Sequence, residues 1–141
     1  MSLMQRGVGA ALNRMPKIIK PTQHAVINYA LAGTFVAAGA VLWGKHRRAA
    51  LSAFLCGGAL AANNMITDYP GGLFRLINYE THGQITAGLA GMAASLPHLM
   101  GFSKDREGRF FNLQATLVTA ATALTDFRQQ PRAARRVRAA A

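Results

Sequence analysis

The sequence predicts an all-α protein: a four-helix transmembrane bundle built from two tandem-repeated helical hairpins, preceded by an amphipathic segment. Three observations predict it. Residues 24–69 align without a gap on residues 82–127, at a shift of 58 positions, with ten identities in the 45 positions from His24 to Asp68. Four stretches carry no Asp, Glu, Lys or Arg: Ala25 to Gly44, Ala49 to Thr67, Gly83 to Ser103 and the shorter Phe110 to Thr125. Only 15% of the residues are charged, well below the roughly 25% of a soluble domain. A bilayer core needs about 20 apolar residues, with a range of roughly 17–25. Three runs meet that length and the fourth lies at its lower edge. A soluble bundle of Ala-rich helices would need a charged outer face, and these runs offer none.

Taken in order, residues 1–20 form a basic segment in which Met4, Val8, Ala11, Leu12, Met15 and Ile19 recur at helical spacing. That pattern suits an amphipathic helix in the headgroup region. Its basic residues are too spread, and its apolar core too short, for a secretory signal. Residues 21–127 are the membrane domain. Pro21 and Thr22 open the first helix, with Thr22 a reasonable N-cap, and Trp43 closes it where an interfacial aromatic belongs. The basic turn 44–48 is short enough to fold helices 1 and 2 into an antiparallel hairpin. The second helix runs from Ala49 to Thr67, and Asp68-Tyr69-Pro70-Gly71-Gly72 ends it. Leu73 to Tyr79 is expected as a short helical turn along the interface. The third helix runs from Thr81-His82 to Phe102, with a kink at Pro97, and the fourth from Phe110 to Asp126. Residues 128–141 form a tail with five arginines.

Small residues recur every four positions on three helices: Ala53, Gly57 and Ala61; Gly83, Ala87 and Gly91; Ala115, Thr119 and Ala123. Such spacing lets helix backbones approach closely in lipid.

Two tandem hairpins bring both helix-1 and helix-3 starts, and both helix-2 and helix-4 ends, to one membrane face. The candidate polar cluster there is His24, Asp68, His82 and Asp126, backed one turn away by Asn28, Asn64, Thr86 and Thr122. An acid at a helix C-terminus and a protonated imidazole at an N-terminus both oppose the helix dipole. The imidazoles should therefore stay neutral, and the acids need a partner: each other, a bound cation, Arg75 or Arg128. The cluster can pin the hairpins together. It can bind a divalent metal or cofactor through two imidazoles and two carboxylates. It can also relay protons, or hold a headgroup or quinone. The metal, if any, and the cofactor are not identified by any motif. His98 is expected as a satisfied interfacial residue, His46 as a solvated one, and Cys56 as a small core residue.

The net charge of +11 sits in tails and short loops beside apolar runs, so anionic lipid is the expected partner rather than nucleic acid. A lone cysteine excludes an internal disulfide. No phosphate loop, His-Glu-x-x-His or nucleophile elbow is present, so no enzyme is expected. The leading expectation is an accessory subunit or assembly scaffold that packs against other membrane subunits or itself. The alternative is a binding module or small transporter that uses the His/Asp face. Ten of the 16 Lys and Arg fall on the side of the termini. That asymmetry favours a bacterial inner membrane with cytoplasmic termini, or else the mitochondrial inner membrane.

Overall fold

The computed structural model describes residue 10 and residues 14–128. Of the proposed amphipathic helix over 1–20, residues 1–9 and 11–13 lie outside them, and residues 15–20 are not helical, Ile19 pairing instead with Thr125 in an isolated bridge. The basic tail beyond Arg128 also lies outside them. Among the described residues the chain forms four long α-helices and no strand: α1 Pro21–Leu42, α2 Arg47–Met65, α3 Tyr79–Leu99 and α4 Arg106–Ala123. Among the described residues, α1 alone is long and apolar enough to cross a membrane.

The duplication governs the helix ends. N-caps Lys20 and Asn78 are 58 positions apart, and so are the C-caps Ile66 and Leu124. The same offset relates two backbone straps. Ile19 N–H donates to Leu124 O at 3.1 Å, and Ile77 N–H donates to Ile66 O at 3.0 Å. Each strap satisfies a carbonyl that the end of a helix leaves open. The repeat therefore reaches back at least to Ile19, although residues 20–23 and 78–81 share no identity.

Several local features differ from expectation. The first helix is capped by Lys20, whose N–H bonds Gln23 Oε1 at 3.0 Å, so Thr22 lies inside the first turn. Leu73 to Asn78 is not helical. Its amides turn back onto the end of α2, with Leu73 and Phe74 N–H on Met65 O and Leu76 N–H on Ile66 O. Those open carbonyls outcompete a new helical turn. Pro97 stands two residues before Leu99, the last residue of α3. There Phe102 N–H bonds Pro97 O at 2.8 Å and Gly101 N–H bonds His98 O at 3.4 Å. With Gly101 at φ +74°, this is a Schellman ending, so the proline belongs to the stop signal. His46 is not merely solvated: its Nε2 pairs with Asp105 Oδ2 at 3.0 Å, and Ala49 N–H reaches its Nδ1. It ties the two basic turns together.

The bundle interior is closed by aromatic rings. Phe35 meets Phe111 edge to face at 5.4 Å, and Phe102 meets Phe111 at 5.3 Å. Cys56 is buried in the same core. Of the small-residue positions, Gly57 carries the clearest packing role. A Cβ there would stand 2.8 Å from Ala32 O and from Val36 Cγ2, so α1 and α2 touch backbone to side chain only because it is glycine. Gly57→Ala is expected to cost about 1–3 kcal/mol through overpacking. Gly58→Ala, with nothing within 4 Å, is expected to cost nothing. Thermal unfolding compares the two. Gly91 and Ala87, by contrast, face outward.

Candidate functional site

The pseudo-symmetry places His24 and His82 face to face in the interior, and both are fully buried. Their Nε2 atoms are 3.2 Å apart and their rings lie edge to face. Each ring is held from behind by a threonine of the other repeat. His24 Nδ1 is 2.9 Å from Thr125 Oγ1, and His82 Nδ1 is 2.8 Å from Thr67 Oγ1.

The threonines decide the tautomer. Each hydroxyl has one hydrogen. Thr125 gives its hydrogen to Ala121 O at 2.7 Å, and Thr67 gives its own to Asn63 O. Each threonine oxygen is then left to accept from Nδ1–H. Asn63 O, an acceptor only, lies 3.4 Å from His82 Nδ1 and reinforces that assignment. On that assignment both imidazoles carry hydrogen on Nδ1, and each leaves a bare Nε2, the two nitrogens 3.2 Å apart.

Around this symmetric frame the polar lining is asymmetric. Asn28 Nδ2 lies 3.1 Å from His24 Nε2 and 3.4 Å from His82 Nε2. Its own Oδ1 is buried without a hydrogen-bond partner. Thr86, the repeat mate of Asn28, donates to His82 O at 2.8 Å, and its oxygen lies 3.4 Å from His82 Nε2. Asn63 Nδ2 spans to Thr86 Oγ1 at 3.0 Å and to His82 O at 3.2 Å. Its counterpart in the second repeat is Ala121. Asn64 Oδ1 accepts from Tyr69 OH at 2.8 Å and from Asn28 Nδ2 at 3.4 Å. Burial, with Tyr29 adding to it, pushes the Tyr69 phenol above its ordinary range, so it stays a donor. Tyr69, Tyr79 and Phe127 cage the pair; Phe127 stands edge-on to His24 at 5.0 Å and Tyr69 lies tilted on His82 at 5.2 Å.

Of the residues expected in the cluster, His24, His82, Asn28, Asn64 and Thr86 come together. Asp68 and Asp126 do not join them. Asp68 lies part-exposed, 3.7 Å from Arg75 Nε. Asp126 accepts from the Arg128 N–H at 3.0 Å. Thr122 bonds its own helix at Val118 O. The places foreseen for the acids are taken by the residues just before them, Thr67 and Thr125. Both threonines are identities in the repeat, so the signal was present. Their inward direction follows from the straps, which no residue pattern announces. Asn63, Tyr69 and Tyr79 were also missed as lining.

A groove of about 710 Å³ lies between α3 and α4. Gly83, Thr125 and Phe127 form its inner wall, and Glu80, Asp126 and Arg128 stand along it. It reaches the back of the His24 partner. At the far end of the bundle, His46, Asp105 and Glu107 form a second, partly exposed cluster of candidate ligand atoms.

Comparison of the chain with protein-family models, with curated proteins and with solved structures returned no match. Fold and site define the class as an all-α helical protein with a buried imidazole pair.

Proposed function

We propose that this is a small integral-membrane binding module, with four spanning helices and the imidazole pair as its working part. The observation that carries the binding role is the convergence of two Nε2 lone pairs at 3.2 Å with no carboxylate among their bonded partners. The two acceptors share one donor, the Asn28 amide nitrogen, and the Asn28 oxygen beside it is buried without a partner. This favours a binding module over an accessory subunit or scaffold, since a scaffold needs no such interior.

Support for the membrane location comes from where the polar residues face. Ser52, Asn63 and Asn64 of α2 point inward, as do His82 and Thr86 of α3 and Gln114 of α4. Their inclusion lowers the apolar character of each helix without touching its outer surface. That surface displays Val26, Val36, Leu51, Leu55, Leu113 and Leu117, and no charge between the end turns. The loop tip adds exposed Leu73, Phe74 and Leu76 around Arg75, suited to an anionic interface. At about 1.5 Å per residue the helices run roughly 27–33 Å, enough for a hydrocarbon core of about 30 Å.

Two measurements test this. Alkaline carbonate washing of native membranes is expected to leave the chain in the pellet; release to the supernatant overturns the membrane reading. Native mass spectrometry from mild detergent is expected to show the chain with a bound non-peptide mass, lost in His24→Ala. A bare chain always tied to a larger protein would instead support the scaffold.

A further inference from the structure

We infer that His24 and His82 form a binding site for a divalent transition-metal ion, with the side-chain oxygen of Asn28 as third ligand. This rests on the binding-module reading and names the class of its ligand.

The distance fits. A metal about 2.0–2.1 Å from each nitrogen, with the nitrogens 3.2 Å apart, subtends an N–metal–N angle of about 100–106°. That is close to tetrahedral. The tautomer fits as well. A histidine that ligates through Nε2 characteristically donates its Nδ1–H to an oxygen that fixes the ring. Thr67 and Thr125 do this for the two rings from opposite repeats.

The third observation is the orphaned oxygen of Asn28. Amide nitrogen and oxygen exchange places by a half turn about the last side-chain torsion. That turn sets Oδ1 where Nδ2 stands, 3.1 and 3.4 Å from the two Nε2 atoms, at the third corner of the ligand triangle. Asn64, whose Nδ2 is also without a partner, can turn in concert: its Nδ2 then donates to that oxygen and to the Tyr69 hydroxyl oxygen, which accepts in place of donating. Two imidazoles and an amide oxygen suit Zn²⁺, Co²⁺ or Ni²⁺ better than Mg²⁺ or Ca²⁺, which want oxygen ligands. The ligand set is neutral, so the bound ion keeps its charge and polarises whatever fills its remaining position. The symmetric residues thus hold the rings, while those found in one repeat only, Asn28, Asn63 and Asn64, complete the site.

The test is titration of the full-length detergent-solubilised protein with Co²⁺, read by visible absorption, followed by Zn²⁺ competition. One Co²⁺ per chain is expected at the pair, displaced by Zn²⁺ and lost in His24→Ala and in His82→Ala. Helical circular dichroism checks that these variants fold. Thr67→Val with Thr125→Val keeps both rings but frees Nδ1, and is expected to weaken binding roughly 10–100-fold. Asn28→Asp is expected to tighten it at least tenfold, which a structural asparagine would not do. His46→Ala, at the exposed cluster, is expected to leave it unchanged. Absence of Co²⁺ uptake by folded protein overturns the inference, and so does uptake lost only in His46→Ala. If native mass spectrometry finds an organic molecule at the pair instead, the metal fails while the binding module stands. If the pair binds nothing, both fail.

Discussion

Gly72→Ala is expected to destabilise the protein by at least about 3 kcal/mol, among the larger effects a single substitution produces, and to disorder the site as it does so. A Cβ on Gly72 would fall 1.6 Å from Thr67 O and 2.8 Å from Thr67 C. No side-chain adjustment relieves a clash with backbone. The turn is pinned by Gly72 N–H on Tyr69 O at 2.9 Å, so the strain must move Thr67 itself. Thr67 is the residue that holds His82. The same methyl therefore unlocks the ring and loosens the end of α2. Gly44→Ala, in the opposite turn with nothing within 4 Å, is the matched control. Chemical unfolding in detergent reads the stability, and Co²⁺ affinity reads the site.

Phe111→Ala is expected to cost about 3 kcal/mol and to leave metal binding within twofold. Phe111 is fully buried and joins Phe35, Phe102 and Phe110 in ring contacts of 5.3–5.8 Å. Truncation of a buried Phe costs about 3–5 kcal/mol in water-soluble cores. On the proposed membrane location the lower end applies, because an unfolded helix in lipid is already out of water and only the packing and cavity losses remain. Phe111 lies on the core side of the bundle, away from the histidine end. Its loss therefore separates general stability from the integrity of the pair, which Gly72→Ala joins.

Much of this architecture was legible in the residues. The 58-position repeat foretold four helices in two hairpins, with the ends of α1 within one residue of those observed and the ends of α2 to α4 displaced by two to four, and it foretold that His24 and His82 share one end. It misled by one residue at the other two corners. Both Thr67-Asp68 and Thr125-Asp126 repeat, and charge logic selected the aspartates. The straps at Ile19 and Ile77 instead turn the threonines inward and leave the acids at the rim, beside Arg75 and the Arg128 amide. A strap is made of backbone hydrogen bonds, which leave no mark on residue type. The asymmetric lining was hidden for a different reason: Asn63 faces Ala121 across the repeat, and a search for identities discards such positions. The loop 73–78 was misread as helical because its apolar spacing resembles a turn of helix, whereas its amides are claimed by the open carbonyls of α2.

The central claim is that two imidazoles are locked with hydrogen on Nδ1 and bare Nε2 atoms facing each other. Nitrogen-15 NMR of histidine-labelled, metal-free protein tests it most directly. For His24 and His82 it should give pyrrole-type Nδ1 and pyridine-type Nε2 resonances. A hydrogen resident on Nε2 of either ring would mean an ordinary imidazole-to-imidazole hydrogen bond and would contradict the account.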